Sequence, residues 1–237
     1  MLFVLAYAAA ASSPFDSSFS SAGGGCVKVP ADELNRTADA HRAAMKEHYM
    51  HPALSCDADF RNVMPACKQQ GADWCWATGL AEMSFYYNIS TGGADNCTAV
   101  ECAVVSMDHK MDCCPDGRIR CGADGETVPD IVKVASEFMG FPFKSRGGPP
   151  SEADLVALLE AGKPVMPIIT WYKEGRPIGG HALMISGCTA SSMPFGSGVA
   201  YYLHDPETKQ YSTVSYGRLM TYTALSPGKW TDTVHAA

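Results

Sequence analysis

Apolar residues recur at Trp76, Leu80, Met83 and Tyr87, a spacing of i, i+4, i+7 and i+11 that lays them on one stripe of a helix beginning at Asp73 or Trp74. Cys75 falls in the first turn of that helix. A second helix is signalled by Thr127 as N-cap, Pro129 in the first turn and Asp130 three residues past the cap, and it stops at Gly140. A third runs from a Ser151 cap, with Asp154 at the capping-box position, through Leu155, Leu158 and Leu159 to Gly162. Beyond Gly162 the period changes. Short β-type runs follow at Val165–Trp171, His181–Cys188, Val199–Leu203 and Gln210–Ser215, separated by turn-like EGRPIGG and HDPETK, and they can pair in sequence as an antiparallel sheet. Helices first and strands afterwards predict an α+β protein in two lobes, meeting where the first helix faces the sheet.

The N-terminal part has different grammar. Leu2 to Ala11 is an apolar run ending in small residues, with Ala9-Ala10-Ala11 as an A-x-A-like cleavage site, so residues 1–20 read as a signal peptide and the start of a linker. At about half of the roughly 20 residues needed to cross a bilayer, it predicts no membrane anchor. Ser12 to Gly25 is Ser- and Gly-rich and reads as linker. Within 21–60, a thin stripe of Leu34, Ala38, His41 and Met45 fits either a pro-segment or a docked N-terminal helix. The organised part begins near Val63, which assigns 61–237 to the main domain.

Composition narrows the function. The 237 residues are 46% hydrophobic and 18% charged, enough for one sizeable core. Eighteen Lys and Arg against 25 Asp and Glu give a net charge of -7, which lacks the basic footprint of a nucleic-acid binder. Ten cysteines and three sequons, at Asn35, Asn88 and Asn96, lean towards the secretory pathway.

Chemistry concentrates at Cys75. A thiol has a free pKa of about 8.5, and the nucleophile is its thiolate, which a helix N-terminus and a facing histidine both favour. Gly79, one turn on, costs about 1 kcal/mol against Ala in a helix and suits a face that another backbone or a substrate approaches closely.

The segment QQGADWCWATGLAEMSFYYN resembles the signature of papain-like cysteine peptidases, a glutamine six residues before a Cys-Trp-Ala at a helix start. Gln69 stands six before Cys75 and Gln70 five, so the match selects Gln69. Trp immediately before the cysteine is similar to a minimal group seen in bacterial peptidases and plant-pathogen effectors, not to the cathepsins. Gly162-Lys163-Pro164, Gly179-Gly180-His181 and Asp205-Pro206 follow in the same order, so that the resemblance spans roughly residues 63 to 225.

The resemblance implies a papain-like fold: a helical lobe carrying the nucleophile faces an antiparallel β-sheet lobe carrying His and Asp. It implies Cys75 as nucleophile, His181 as proton acceptor and donor, Asp205 as the orienting acid, and Gln69 with the Cys75 N–H as oxyanion hole. The substrate is then protein or peptide, and no cofactor is needed. Two rivals stand beside it: a related Cys-His amidase or acyltransferase on the same scaffold, and an inactive disulfide-rich binding protein.

His204, next to Asp205, points to the opposite face if the strand continues, and His41, His48, His51, His109 and His235 read as surface residues. Nine cysteines remain once Cys75 is reserved, an odd count. Cys188, ending an apolar strand, is the candidate buried thiol. Cys97, Cys102, Cys113, Cys114 and Cys121 fall in a loop-rich insert near 95–125, where disulfides are favoured over a zinc site because no CxxC pair or close histidine gives a zinc spacing.

Overall fold

The computed structural model describes residues 54–89, 96–121, 125–193, 196–220 and 228–237. The leader, the linker, the 31–50 stripe, Cys26, the Asn35 sequon and His41, His48 and His51 lie outside them. The described chain is α+β, as expected. A first strand β1 (Asp57–Asp59) precedes helix α1 (Cys75–Tyr86), α2 (Cys97–His109) and α3 (Val128–Met139). Strand β2 (Phe143–Gly147) and helix α4 (Glu152–Glu160) lead into β3 (Met166–Lys173), β4 (Arg176–Ala182), β5 (Met184–Met193), β6 (Gly196–His204) and β7 (Tyr211–Ser215). The short α5 (Tyr216–Met220) and strand β8 (Gly228–Ala236) complete the order.

The helix signals in the sequence act as they should. Thr127 accepts from the Asp130 N–H at the start of α3, and Gly140 closes that helix at φ 75°. Ser151 accepts from the Asp154 N–H at 3.1 Å, and Gly162 turns the chain after α4 at φ 71°. Helix α1 departs from a simple stripe, being buried on every side from Trp76 to Ser84. It is the central helix of the lobe.

The strands form two antiparallel sheets, β1-β5-β6-β7 and β2-β8-β3-β4, instead of one sheet paired in sequence. His181–Cys188 is accordingly not one strand. The chain leaves the second sheet after Ala182 and enters the first at Met184. The EGRPIGG stretch is also mostly strand: Lys173 pairs with Arg176 across a two-residue turn in which Glu174 and Gly175 both take positive φ, 52° and 76°. That is the twist-compatible hairpin turn, and it needs only two residues of the seven.

Two further expectations are corrected. The insert near 95–125 opens with a helix, α2, capped by Asn96 Oδ1 accepting from the Ala99 N–H at 2.8 Å. Its cysteines and β-branched valines mask a helical period. His235 is buried, 4% exposed, because β8 is an interior strand bonded to β2 on one side and β3 on the other. His109 is half-buried in the last turn of α2.

Two cores hold the lobes. Trp74, Leu80 and Met83 pack with Val104, Val105, Ile131 and Val134 among the helices, and reach Met166 and Met184 of the sheets. Leu155 and Leu159 of α4 pack on Val165, Ile185, Tyr201 and Trp230. Gly79 belongs to the first core. A Cβ there would meet Met166 Cε at 2.7 Å and Met184 Sδ at 2.9 Å, so its missing side chain lets α1 lie close on the strands and does not open a substrate face.

Candidate active site

Cys75 occupies the first position of α1, and no side chain caps that terminus. The N–H groups of the first turn therefore leave their positive end of the helix dipole beside the thiol. The backbone N–H of Ala182 also donates to Cys75 Sγ at 3.3 Å. Among the described residues Cys75 is the free cysteine, and it is half-buried.

His181 comes from the opposite lobe, near the end of β4, where it pairs with Ile169 of β3. Its Nε2 lies 2.8 Å from Oδ1 of Asp205, the residue that follows β6. The two residues thus come from different sheets. Cys75 acts on the same imidazole from the other lobe, favouring its charged form. Burial alone would push this imidazole down, but the hydrogen bonds to Asp205 and Cys75 and their charges outweigh it, raising His181 to about 10. The Trp171 ring stacks over the imidazole, with centroids 6.0 Å apart and planes 13° apart. Asp205 is braced in turn by the Glu207 N–H, which donates to Oδ1 at 3.0 Å.

Cys75 and His181 open on a cavity of about 510 Å³. Its walls are Trp76, Ile131, Ile168, Trp171 and Ile178, and Asp73 and Glu126 add carboxylates. A large apolar cavity with a few convergent polar groups is the usual form of a binding site.

Gln69 sits in the loop before α1, half-buried, while Gln70 is exposed. The Gln69 side-chain amide donates to Ala72 O at 2.7 Å, which occupies one of its two N–H groups. Its backbone N–H donates to Pro206 O at 2.8 Å, linking this loop to the turn that carries Asp205. Gly71 allows the loop to pass over Trp74, since a Cβ there would come within 2.5 Å of the indole.

Residues 59–223 match the model of the family described as papain-like cysteine protease AvrRpt2. The chain belongs to this family. It is a papain-like cysteine peptidase, and as such acts on protein substrates. Curated proteins give no match to it. Among solved structures it is similar to a C39-like peptidase from Bacillus anthracis, at 13% identity over 76% of this chain and 98% of that chain, with a TM-score of 0.46.

The peptidase carries four disulfides among its described residues: Cys56–Cys188, Cys67–Cys97, Cys102–Cys114 and Cys113–Cys121. All five insert cysteines are bridged. Cys188 is not a free thiol: β1 runs beside β5 with Ala58 opposite Cys188, which brings Cys56 within a Cα separation of 5.6 Å. No helix among the described residues is long and apolar enough to cross a membrane.

Three buried polar residues around the site were given no role by the sequence. His204, wholly buried, places Nδ1 2.6 Å from Oε1 of Glu82, also wholly buried, and that same oxygen accepts from the Cys67 N–H at 2.9 Å. Glu101, 0% exposed, accepts from the Gln70 N–H at 2.9 Å. A signal for the two glutamates was present. Each is the lone charge in a run of apolar and small residues, Cys75–Tyr86 and Cys97–Met107.

Proposed function

We propose that the chain is a secreted papain-like cysteine peptidase in which Cys75, His181 and Asp205 act together. Cys75 attacks the scissile carbonyl and forms a thioester. His181, charged beside the sulfur, passes its proton to the departing amine, then takes one from the water that hydrolyses the acyl-enzyme. Asp205 keeps the imidazole oriented and supports its charge. Gln69, through its second amide N–H, and the Cys75 N–H stabilise the oxyanion. The observation that carries this reading is the Cys75–His181–Asp205 contact chain at the edge of the apolar cavity, with Nε2 of His181 2.8 Å from Asp205. Secretion is supported by the signal-like start and by a disulfide set that an oxidising compartment maintains.

The test is labelling with an epoxide or vinyl-sulfone probe followed by peptide mapping, together with casein hydrolysis by Cys75→Ala. Modification at Cys75 and loss of hydrolysis in a folded variant are expected. Wild-type hydrolysis by Cys75→Ala would refute the assignment, and an unreactive Cys75 in an inert protein would favour a binding role.

A further inference from the structure

The loop 67–71 that carries Gln69 has almost no regular structure of its own, yet it is fastened at successive residues. Cys67 is bridged to Cys97, the first residue of α2, and its N–H donates to Glu82. Gln69 is tied to Pro206. The next residue is met by a carboxylate. Glu101 Oε1 accepts from the Gln70 N–H at 2.9 Å.

A wholly buried carboxylate is costly unless it meets a need, since desolvating the charge opposes folding. Here burial pushes the Glu101 carboxyl up to about 7, the backbone donors draw it back down, and the charge acting on it from Glu82 is of the same sign. An apolar residue would pack among Val100, Val104 and Val105 without that cost. It would leave the Gln70 N–H without its acceptor at a partly buried position, and a donor shielded from water without a partner is itself unfavourable. The carboxylate therefore sets the path of the peptide unit immediately after Gln69.

We propose that Glu101 is a positioning residue, holding the Gln70 backbone N–H from the disulfide-stapled helix α2 and thereby aiming the Gln69 amide at the nucleophile. This rests on the reading of Gln69 as oxyanion donor. It also assigns the cysteine-rich insert a task, because Cys67–Cys97 and Cys102–Cys114 anchor α2 on either side of Glu101.

The experiment measures casein hydrolysis and the rate of iodoacetamide alkylation of Cys75 in Glu101→Leu, Glu101→Gln, Gln69→Ala and the Gln69→Ala/Glu101→Leu double variant. Alkylation by iodoacetamide develops no oxyanion, so it reports the thiolate alone. Glu101→Leu should lower kcat roughly 10-fold or more with KM and alkylation nearly unchanged, and Glu101→Gln, which keeps a carbonyl acceptor, should recover most of it. In the double variant the Glu101 substitution should add little to Gln69→Ala, because both act on one donor. Wild-type kcat in folded Glu101→Leu, a full additive loss in the double variant, or alkylation falling in step with kcat would each overturn the proposal. If Glu101→Leu does not fold, Glu101→Asp, which withdraws the acceptor by one methylene, takes its place, and wild-type kcat there is equally fatal. Unchanged kcat in Gln69→Ala would instead remove the oxyanion reading itself.

Discussion

Glu82 of α1 and His204 of β6 meet at 2.6 Å, both shielded completely from solvent, one residue away from Asp205. Burial pushes the Glu82 carboxyl up, against the pull of His204 and the Cys67 N–H. Burial opposes the charge on His204 as well, but Glu82, the Thr208 carbonyl and Asp205 leave its imidazole above the ordinary range. The pair thus fastens the central helix of one lobe to the strand that presents Asp205 in the other.

Removing one partner strands the other in the interior. Glu82→Ala should cost about 3 to 5 kcal/mol of stability in urea unfolding, the usual penalty for an orphaned buried charge, and Glu82→Gln should cost less. An unfolding midpoint of Glu82→Ala equal to wild type would show that the pair contributes no stability.

Asp205 raises His181, so its loss should be visible in the pH dependence of catalysis. The alkaline limb of the kcat/KM profile reports deprotonation of the free enzyme's imidazolium. In Asp205→Asn the hydrogen bond can persist through the amide oxygen while the charge is gone, so that limb should move to lower pH. A limb unmoved in Asp205→Asn would mean that Asp205 does not support the imidazolium charge.

The same imidazole links pH to stability. His181 binds its proton more tightly folded, to about 10, than at its ordinary 6.5. Its contribution is therefore fully present below about pH 6.5 and is lost as pH rises through about 10. Thermal melts of wild type should fall more steeply across that window than those of His181→Gln. Parallel curves would contradict the shift.

What could be read from the sequence follows from how local the cause is. The caps Thr127 and Ser151 and the terminators Gly140 and Gly162 act within one turn, and they mark α3 and α4 without help from the rest of the chain. Cys75, His181 and Asp205 were found by order along the chain, and the fold brings them together. The division into two sheets was hidden because it depends on β8, a C-terminal strand whose paired residues lie 57 or more positions upstream. Glu82, Glu101 and His204 were missed for a related reason. Each is explained only by a partner on another element: isolation in an apolar run hints that Glu82 and Glu101 are buried, but it does not name the groups that meet them.

Connectivity of the cystines is the least local feature, and it gives a graded expectation. The bridges span 132, 30, 12 and 8 residues. If they act chiefly by restricting the unfolded chain, Cys56–Cys188 should contribute most, about 5 kcal/mol, and Cys113–Cys121 about half as much. Urea unfolding of the paired variants Cys56→Ala/Cys188→Ala and Cys113→Ala/Cys121→Ala should preserve that order. Non-reducing peptide mapping should recover the four pairs with Cys75 alkylatable. Recovery of Cys188 as a free thiol would break the tie between β1 and β5 and remove the larger effect. Loss of Cys67–Cys97 should act differently, because that bridge pins the loop bearing Gln69 to α2: its Cys67→Ala/Cys97→Ala variant should lose kcat beyond what its loss of stability accounts for, measured well below its melting temperature. Full kcat in that variant would show that the remaining contacts, from Glu82, Glu101 and Pro206, suffice to hold the loop.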